Sequence, residues 1–193
     1  MAPTFGFHRN RRGVLRLHLG ADERQVLQHV VTEMVQLLTP DDSTEAVDDD
    51  PLARALGIGT ATEVPEDPAL ARLFPNAYPE DVEAAGDFRR YTEPGLRDRK
   101  LADLRIALGA LGDPDPATNA ALVLLVDDDQ ATAWLGALND TRLVLGARLG
   151  VTEDLEELLI SLPDDDPRLG LYWVYDRLTW LQETLVRALA AGL

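Results

Sequence analysis

The fold is decided by residues 14–38, which read VLRLHLGADERQVLQHVVTEMVQLL. Over residues 14–19 polar and apolar side chains alternate, which is the pattern of a half-buried strand. From Gly20 to Leu38 the apolar residues instead recur at helical spacing. This change of period predicts a strand that is followed at once by an amphipathic helix.

The neighbouring segments extend this start into a small sheet covered by helices. Phe5 and Phe7 alternate before the turn residues 10–13, which predicts an N-terminal hairpin, and the apolar run 121–126 predicts a buried third strand. Helices are predicted at 68–74, 79–90, 94–111, 127–149, 150–162 and 171–189. The expected fold is therefore mainly α: a single-domain helical bundle with a small antiparallel β-sheet, formed by the N-terminal hairpin and the strand near 121–126.

Length and charge limit the class of protein. The chain has 193 residues, no cysteine and a formal net charge of −16, from 18 Lys and Arg against 34 Asp and Glu. We expect residues 1–193 to form one domain, with 41–67 as an acidic, mobile internal segment. There is no apolar run of membrane-spanning length and no secretory signal pattern, so we expect a cytoplasmic protein with no membrane partner. The low pI argues against direct nucleic-acid binding, although residues 1–20 hold arginines and no acid.

No residue pattern points to catalysis. Residues 57–62 hold part of a dinucleotide-binding glycine pattern, but no predicted strand precedes them. The acidic triplets fit helix caps and solvated turns better than calcium loops. His8, His18 and His29 lack metal-ligand spacing, and no serine lies in a nucleophile elbow. We therefore expect no catalytic residue, no cofactor and no metal site, and a protein that is not an enzyme.

A charged residue stands out within residues 134–149, which read WLGALNDTRLVLGARL. Arg142 falls in the same sector, about 100° wide, as the apolar residues of this predicted helix. Because a guanidinium cannot lose its charge when buried, it needs a carboxylate, carbonyl groups or an anionic ligand. The favoured interpretation is an internal salt bridge to an acid such as Glu183 or Asp81, and the alternative is a pocket for an anion or a partner. The candidate polar cluster, structural or binding, is Asn139, Asp140, Arg142 and Arg148.

Aromatic residues form a second candidate site. Trp173 and Trp180 are seven residues apart on the last predicted helix and so share a face. Three interpretations are open: the helix is buried on two sides, the tryptophan-bearing side is a docking surface, or that side forms the two-helix interface of a homodimer. Phe74 and Tyr78 lie in another aromatic region. The candidate partner surface is Trp173, Trp180, Phe74 and Tyr78.

Three stretches carry a resemblance to a known family. They are residues 67–78 (DPALARLFPNAY), 87–97 (DFRRYTEPGLR) and 134–149. Together with the strand and helix that open the chain and the helix from Tyr175 to Leu189, they resemble an actinobacterial family of domains of unknown function that includes the AosR oxidative stress regulators, and the resemblance spans nearly the whole chain. It implies a cytoplasmic, transcription-linked regulator that acts through a protein partner, with a sigma factor or RNA polymerase as the expected partner. Redox sensing in the family is attributed to cysteines near the N-terminus, and this chain has none.

Three hypotheses of function follow. The first is an accessory regulator that acts through protein–protein contacts in transcription or the stress response, without cysteine-based sensing. The second is an adaptor for Clp proteolysis, or another interaction module, for which the acidic segment 41–67 is the suggestive feature. The third is a binder of a small anionic ligand, or an enzyme, centred on Arg142.

Overall fold

Five helices and three strands follow one another in the described part of the chain. The computed structural model describes residues 5–40, 62–112, 121–151, 159, 162–163 and 165–191. The elements are β1 (Gly6–Arg9), β2 (Leu15–Leu19), α1 (Ala21–Leu38), α2 (Pro68–Leu73), α3 (Val82–Leu111), β3 (Leu122–Leu125), α4 (Asp128–Leu149) and α5 (Pro167–Ala190). The predicted fold class, mainly α with a small antiparallel sheet, is confirmed. Most of the acidic segment 41–67 and of the predicted helix 150–162 lies outside the described residues.

The strands form an antiparallel sheet in the order β1-β2-β3. Leu17 lies at the centre of one face, opposite Phe7 on β1 and Leu124 on β3. Phe7 and Leu17 are buried in the main core, where the Phe7 ring meets the ring of Trp134 on α4 edge-on, with centroids 5.7 Å apart. The hairpin turn contains Gly13 at φ +77°, a conformation that glycine adopts without strain. The predicted hairpin is therefore confirmed.

The prediction that the third strand is buried is wrong. Val123 and Leu125 of β3 are 53% and 66% exposed, whereas Leu122 and Leu124 pack against the core. Because side chains alternate between the two faces of a strand and the core lies on one face of this sheet, only alternate residues of β3 reach the core. An uninterrupted apolar run does not reveal this, since it fits a strand buried on both faces equally well.

Helix α4 lies at the centre of the helical layer and contacts α2, α3 and α5. Its small residues Ala133, Gly136 and Ala137 allow these neighbours to approach closely, while Trp134 fills the core with only 1% exposure. A Cβ atom added at Gly136 would lie 2.6 Å from the carboxylate of Asp103 on α3. The helix therefore buries residues on several faces, and its apolar pattern alone does not identify a single inner face.

The predicted division of α3 into two helices near Pro94 is wrong. The helix runs without a break from Val82 to Leu111, although Pro94 lacks an amide hydrogen and disfavours helical backbone at the residue before it. That residue, Glu93, is buried and accepts hydrogen bonds from Arg89 one turn earlier and Arg97 one turn later. These side-chain bonds connect the two sides of the proline and stabilise a continuous helix.

Aspartates cap four helices, and one predicted cap is confirmed in detail. Asp127 accepts from the backbone N–H of Gln130, whose side chain accepts in return from the N–H of Asp127. Asp81 caps α3, so this helix begins at Val82 and not at Pro79 as predicted. The other two caps are Asp67 and Asp166. Among the described helices, none combines the length and the apolar character needed to cross a membrane.

Candidate functional site

Three residues of the predicted polar cluster contact three different neighbours of α4, and the fourth, Asn139, does not join them. Asn139 is exposed, whereas Asp140 is buried and accepts a hydrogen bond from Lys100 Nζ of α3 at 2.7 Å. Asp103 lies beside this ion pair, where burial and the charge of Asp140 raise the pKa of Asp103. Asp140 and Lys100 therefore fasten α4 to α3 and do not face a ligand cleft.

Arg142 connects α4 to α5. Its Nε donates to Thr179 Oγ1 at 3.0 Å, its Nη1 donates to Gln182 Oε1 at 2.7 Å, and its guanidinium lies 5.4 Å from the centre of the Tyr175 ring. The predicted carboxylate partner is wrong, because Glu183 pairs with Arg187 and Asp81 caps α3. Among the described residues Arg142 forms no ion pair. Its side chain is only half-buried, so neutral oxygens and an aromatic ring suffice to hold it.

Arg148 fastens α4 to α2. Its Nη2 donates to Asp67 Oδ2 at 2.6 Å, and the same aspartate caps α2 by accepting from the backbone N–H of Ala69. Burial alone would raise the pKa of Asp67, but the N–H of Ala69 and the guanidinium of Arg148 outweigh it and lower this pKa. The predicted cluster is thus a set of separate contacts between helices, and the structure does not gather it into one site.

Phe74 does not belong to a partner surface, contrary to the prediction. It is 2% exposed, and its ring lies under the guanidinium of Arg97, which is 4.5 Å from the ring centre. Its carbonyl accepts hydrogen bonds from Nη1 and Nη2 of Arg89 at 3.2 Å. Tyr78 is 47% exposed and meets the ring of Phe88 edge-on. Of the two predicted residues Phe74 and Tyr78, only Tyr78 is exposed enough to meet a partner.

The buried ladder of Arg89, Glu93 and Arg97 is a polar network that sequence reasoning missed. Glu93 Oε2 accepts from Arg89 Nη1 at 2.6 Å and Glu93 Oε1 accepts from Arg97 Nη2 at 2.7 Å. Arg97 also donates to the carbonyl of Leu38 at the end of α1. The four-residue spacing of these opposite charges was visible in the sequence and marks one helix face. The ladder joins α3 to Phe74 and to α1, which is a structural role.

The tryptophan face of α5 is the predicted surface that remains open. Trp173 and Trp180 are 42% and 46% exposed. The guanidinium of Arg177 lies between the rings of Phe5 and Trp173, at 5.4 and 5.3 Å from their centres, and that of Arg187 lies 5.9 Å from the Trp180 ring. These residues, Phe5, Trp173, Arg177, Trp180 and Arg187, are called the tryptophan face below. The prediction that this helix is buried on two sides is wrong within the described residues, because both tryptophans are partly exposed.

Comparison with known proteins places the chain in a family. A family model described as a domain of unknown function, DUF2017, matches residues 2–189. The chain belongs to the DUF2017 family. It is 34% identical over 188 residues to the oxidative stress regulator AosR of Mycobacterium tuberculosis, in an alignment that covers 90% of this chain and 81% of the relative. It is also 34% identical over 182 residues to the putative oxidative stress regulator AosR of Mycobacterium leprae, in an alignment that covers 88% of this chain and 79% of the relative. No solved structure matches the chain.

The family match and the geometry together separate framework from surface in this DUF2017 protein. The contacts made by Lys100 with Asp140 and by Arg148 with Asp67 hold α2, α3 and α4 together. The tryptophan face lies on α5, outside those contacts. Like the exposed ring of Tyr78, it can therefore meet another molecule without disturbing those contacts.

Proposed function

We propose that this protein is an accessory regulator of the response to oxidative stress, that it acts in the cytoplasm through protein–protein contacts, and that it is not an enzyme. Two relatives that match nearly the whole chain are named oxidative stress regulators, and this supports the stress-related part of the proposal. The observation that carries the protein-contact part is the tryptophan face of α5, with its two half-exposed tryptophans.

The size and composition of this face suit a binding hot spot. A tryptophan side chain can bury up to about 250 Å², so exposures of 42% and 46% leave roughly 100 Å² on each ring. Tryptophan and arginine are the residues most enriched where a few side chains dominate binding energy. The arginines that border the rings also hold their orientation, which lowers the entropy that binding must overcome.

The absence of cysteine limits how such a regulator can work. Because the 193 residues contain no thiol, thiol oxidation within this chain cannot be its signal. We propose that the oxidative signal reaches this protein through its partner or through its amount in the cell. The expected partner is RNA polymerase or a sigma factor, and a component of the Clp machinery is the alternative.

The test compares Trp173→Ala combined with Trp180→Ala against the wild type in a strain that lacks the chromosomal copy. We expect the double variant to lose its stoichiometric partner in affinity purification and to lose protection against peroxide. Val186→Ala is the matched control, since Val186 is also exposed on α5 but lies about 120° around the helix from Trp180. It should retain both properties, and circular dichroism should show that both variants are folded at the temperature of the binding assay.

The outcomes separate the candidate functions. Recovery of RNA polymerase or a sigma factor that depends on the tryptophans supports the transcription-linked function, and recovery of a Clp component supports the adaptor function. If the double variant is folded and still binds its partner and protects the cells, the proposal that this face carries the function is wrong. Arg142 already donates to Thr179 and Gln182, which weakens the third hypothesis of an anion site centred on it.

A further inference from the structure

The face of the sheet opposite the core carries an unusual set of side chains. The strand register places His8 opposite Arg16, and His18 next to both on the same face. The His8 and His18 rings lie 4.2 Å apart between centroids, tilted by 54°. On the neighbouring strand, Val123 pairs with His18 and Leu125 pairs with Arg16. Two imidazoles and a guanidinium therefore stand beside two exposed apolar residues.

One nitrogen atom in each of these three side chains lacks a hydrogen-bond partner among the described residues. His8 Nδ1, Arg16 Nε and His18 Nε2 are shielded from solvent and form no hydrogen bond, and within the described residues none of the three side chains forms an ion pair. Buried polar atoms in folded proteins nearly always have a hydrogen-bond partner, so each exception requires an explanation. Three such exceptions lie together on one small area of the sheet, and a bound polar group would account for them.

The local charge indicates the sign of that group. Residues 1–20 contain no acidic side chain, although the whole chain has a net charge of −16. Burial lowers the pKa of His18, and the nearby charges of His8 and Arg16 lower it further. The adjacent residues of β3, Val123 and Leu125, supply no counter-charge. The protonated form of His18 is thus disfavoured here, and a negative charge placed between the three groups would offset that penalty.

We propose that this face binds an anionic oxygen group, a carboxylate or a phosphate, between His8, Arg16 and His18. The guanidinium supplies a permanent charge and directional donors, and the imidazoles donate once they are protonated. Because all three side chains are only half-buried, a change of rotamer is enough to present their nitrogen atoms to a ligand. The anion comes from an acidic residue of a partner protein or from a small free metabolite. This site is separate from the tryptophan face and does not depend on it.

Binding of an anion is linked to proton uptake. A bound carboxylate or phosphate stabilises the imidazolium form and so raises the pKa of His18 from its lowered value. The complex therefore holds more protons than the free protein near neutral pH. Affinity should rise as pH falls from 7.5 to 6, by about tenfold per pH unit at most for each proton taken up.

The experiment follows the imidazole nitrogen resonances of the full chain by NMR while a probe is added. One arm uses inorganic phosphate, and the other uses the peptide acetyl-Leu-Glu-Leu-Glu-Leu-amide, whose carboxylates alternate with apolar residues. We expect the His8 and His18 signals to shift with either probe. The pH comparison uses the peptide, whose carboxylates stay ionised over this range, and its binding should be tighter at pH 6 than at pH 7.5. Arg16→Gln should weaken binding by about tenfold or more, since it removes charge-assisted hydrogen bonds.

Matched variants separate a site from general charge. Arg12→Gln removes the same charge from an exposed position in the hairpin turn and should leave binding unchanged. His18→Gln gives a second test at the site, with His29→Gln on α1 as its control. Shifts with phosphate identify a free anion as a source, and shifts with the peptide alone identify a partner's side chain. If neither probe shifts the signals, or if Arg12→Gln weakens binding as much as Arg16→Gln, the proposal is overturned.

Discussion

Replacement of Glu93 by alanine tests whether the buried ladder on α3 holds the fold together. Glu93 is 7% exposed and accepts from both Arg89 and Arg97. Without it, the carbonyl of Phe74 would be the one remaining hydrogen-bond partner of buried Arg89 among the described residues. Removing one member of a buried ion pair costs about 3–5 kcal/mol, because the remaining charge loses its compensation. Arg97 is 20% exposed at its side chain and can regain water, so we expect the lower end of this range.

The assay is urea unfolding followed by tryptophan fluorescence and circular dichroism. A loss of about 3 kcal/mol should lower the urea midpoint by about 1.5 M if the m-value is near 2 kcal/mol/M, and the melting temperature by about 6–12 °C. Glu183→Ala is the control, since Glu183 pairs with Arg187 at the same spacing but on the surface, and such pairs contribute under about 1 kcal/mol. A change for Glu93→Ala no larger than that for Glu183→Ala would refute the reasoning.

Two further changes test contacts on opposite sides of the core. Because folding raises the pKa of Asp103, its protonated form favours the fold, and that stability is present at acidic pH and lost as pH rises through the folded pKa. Asp103→Asn removes the repulsion from Asp140, so it should raise the free energy of unfolding at pH 7 by under about 1 kcal/mol. Urea titrations should show that this gain becomes smaller towards pH 4. Thr184→Val removes the hydroxyl that accepts from the Phe7 N–H, so it should cost about 1–3 kcal/mol. Hydrogen exchange should then show faster exchange of the Phe7 amide, and an unchanged rate would contradict the contact.

Local patterns predict the elements whose determinants lie close together in sequence. The alternation before Gly20 and the helical spacing after it predict β2 and α1, and Asp127 with Gln130 predicts the start of α4. In each case the residues that decide the structure lie within a few positions of one another. The hydrogen bonds of a turn or a cap depend on such neighbours, so a single sequence is sufficient to infer them.

The predictions that fail depend on contacts between distant parts of the chain. Proline within a helical pattern usually ends or kinks the helix, but the hydrogen bonds around Glu93 keep α3 continuous through Pro94. The sequence predicts that Phe74 is an exposed aromatic residue, whereas in the structure it is buried and Arg97 covers its ring. Arg142 reads as half of an ion pair, but its position against α5 offers neutral acceptors instead. Since spacing along one helix cannot specify which residues of another helix face it, these outcomes were not accessible from sequence alone.

Residues 67–78, 87–97 and 134–149 supply polar contacts that hold the helical layer together. Asp67 pairs with Arg148, the Phe74 carbonyl accepts from Arg89, and Asp140 pairs with Lys100 of α3. Trp173 and Trp180 take no part in these contacts, and neither does the cationic face of the hairpin. A shared framework of this kind can keep the same helical layer while the surfaces that meet partners differ. The contacts of this protein with its partners should therefore be sought on α5 and on the open face of the sheet, and folded variants there should alter binding.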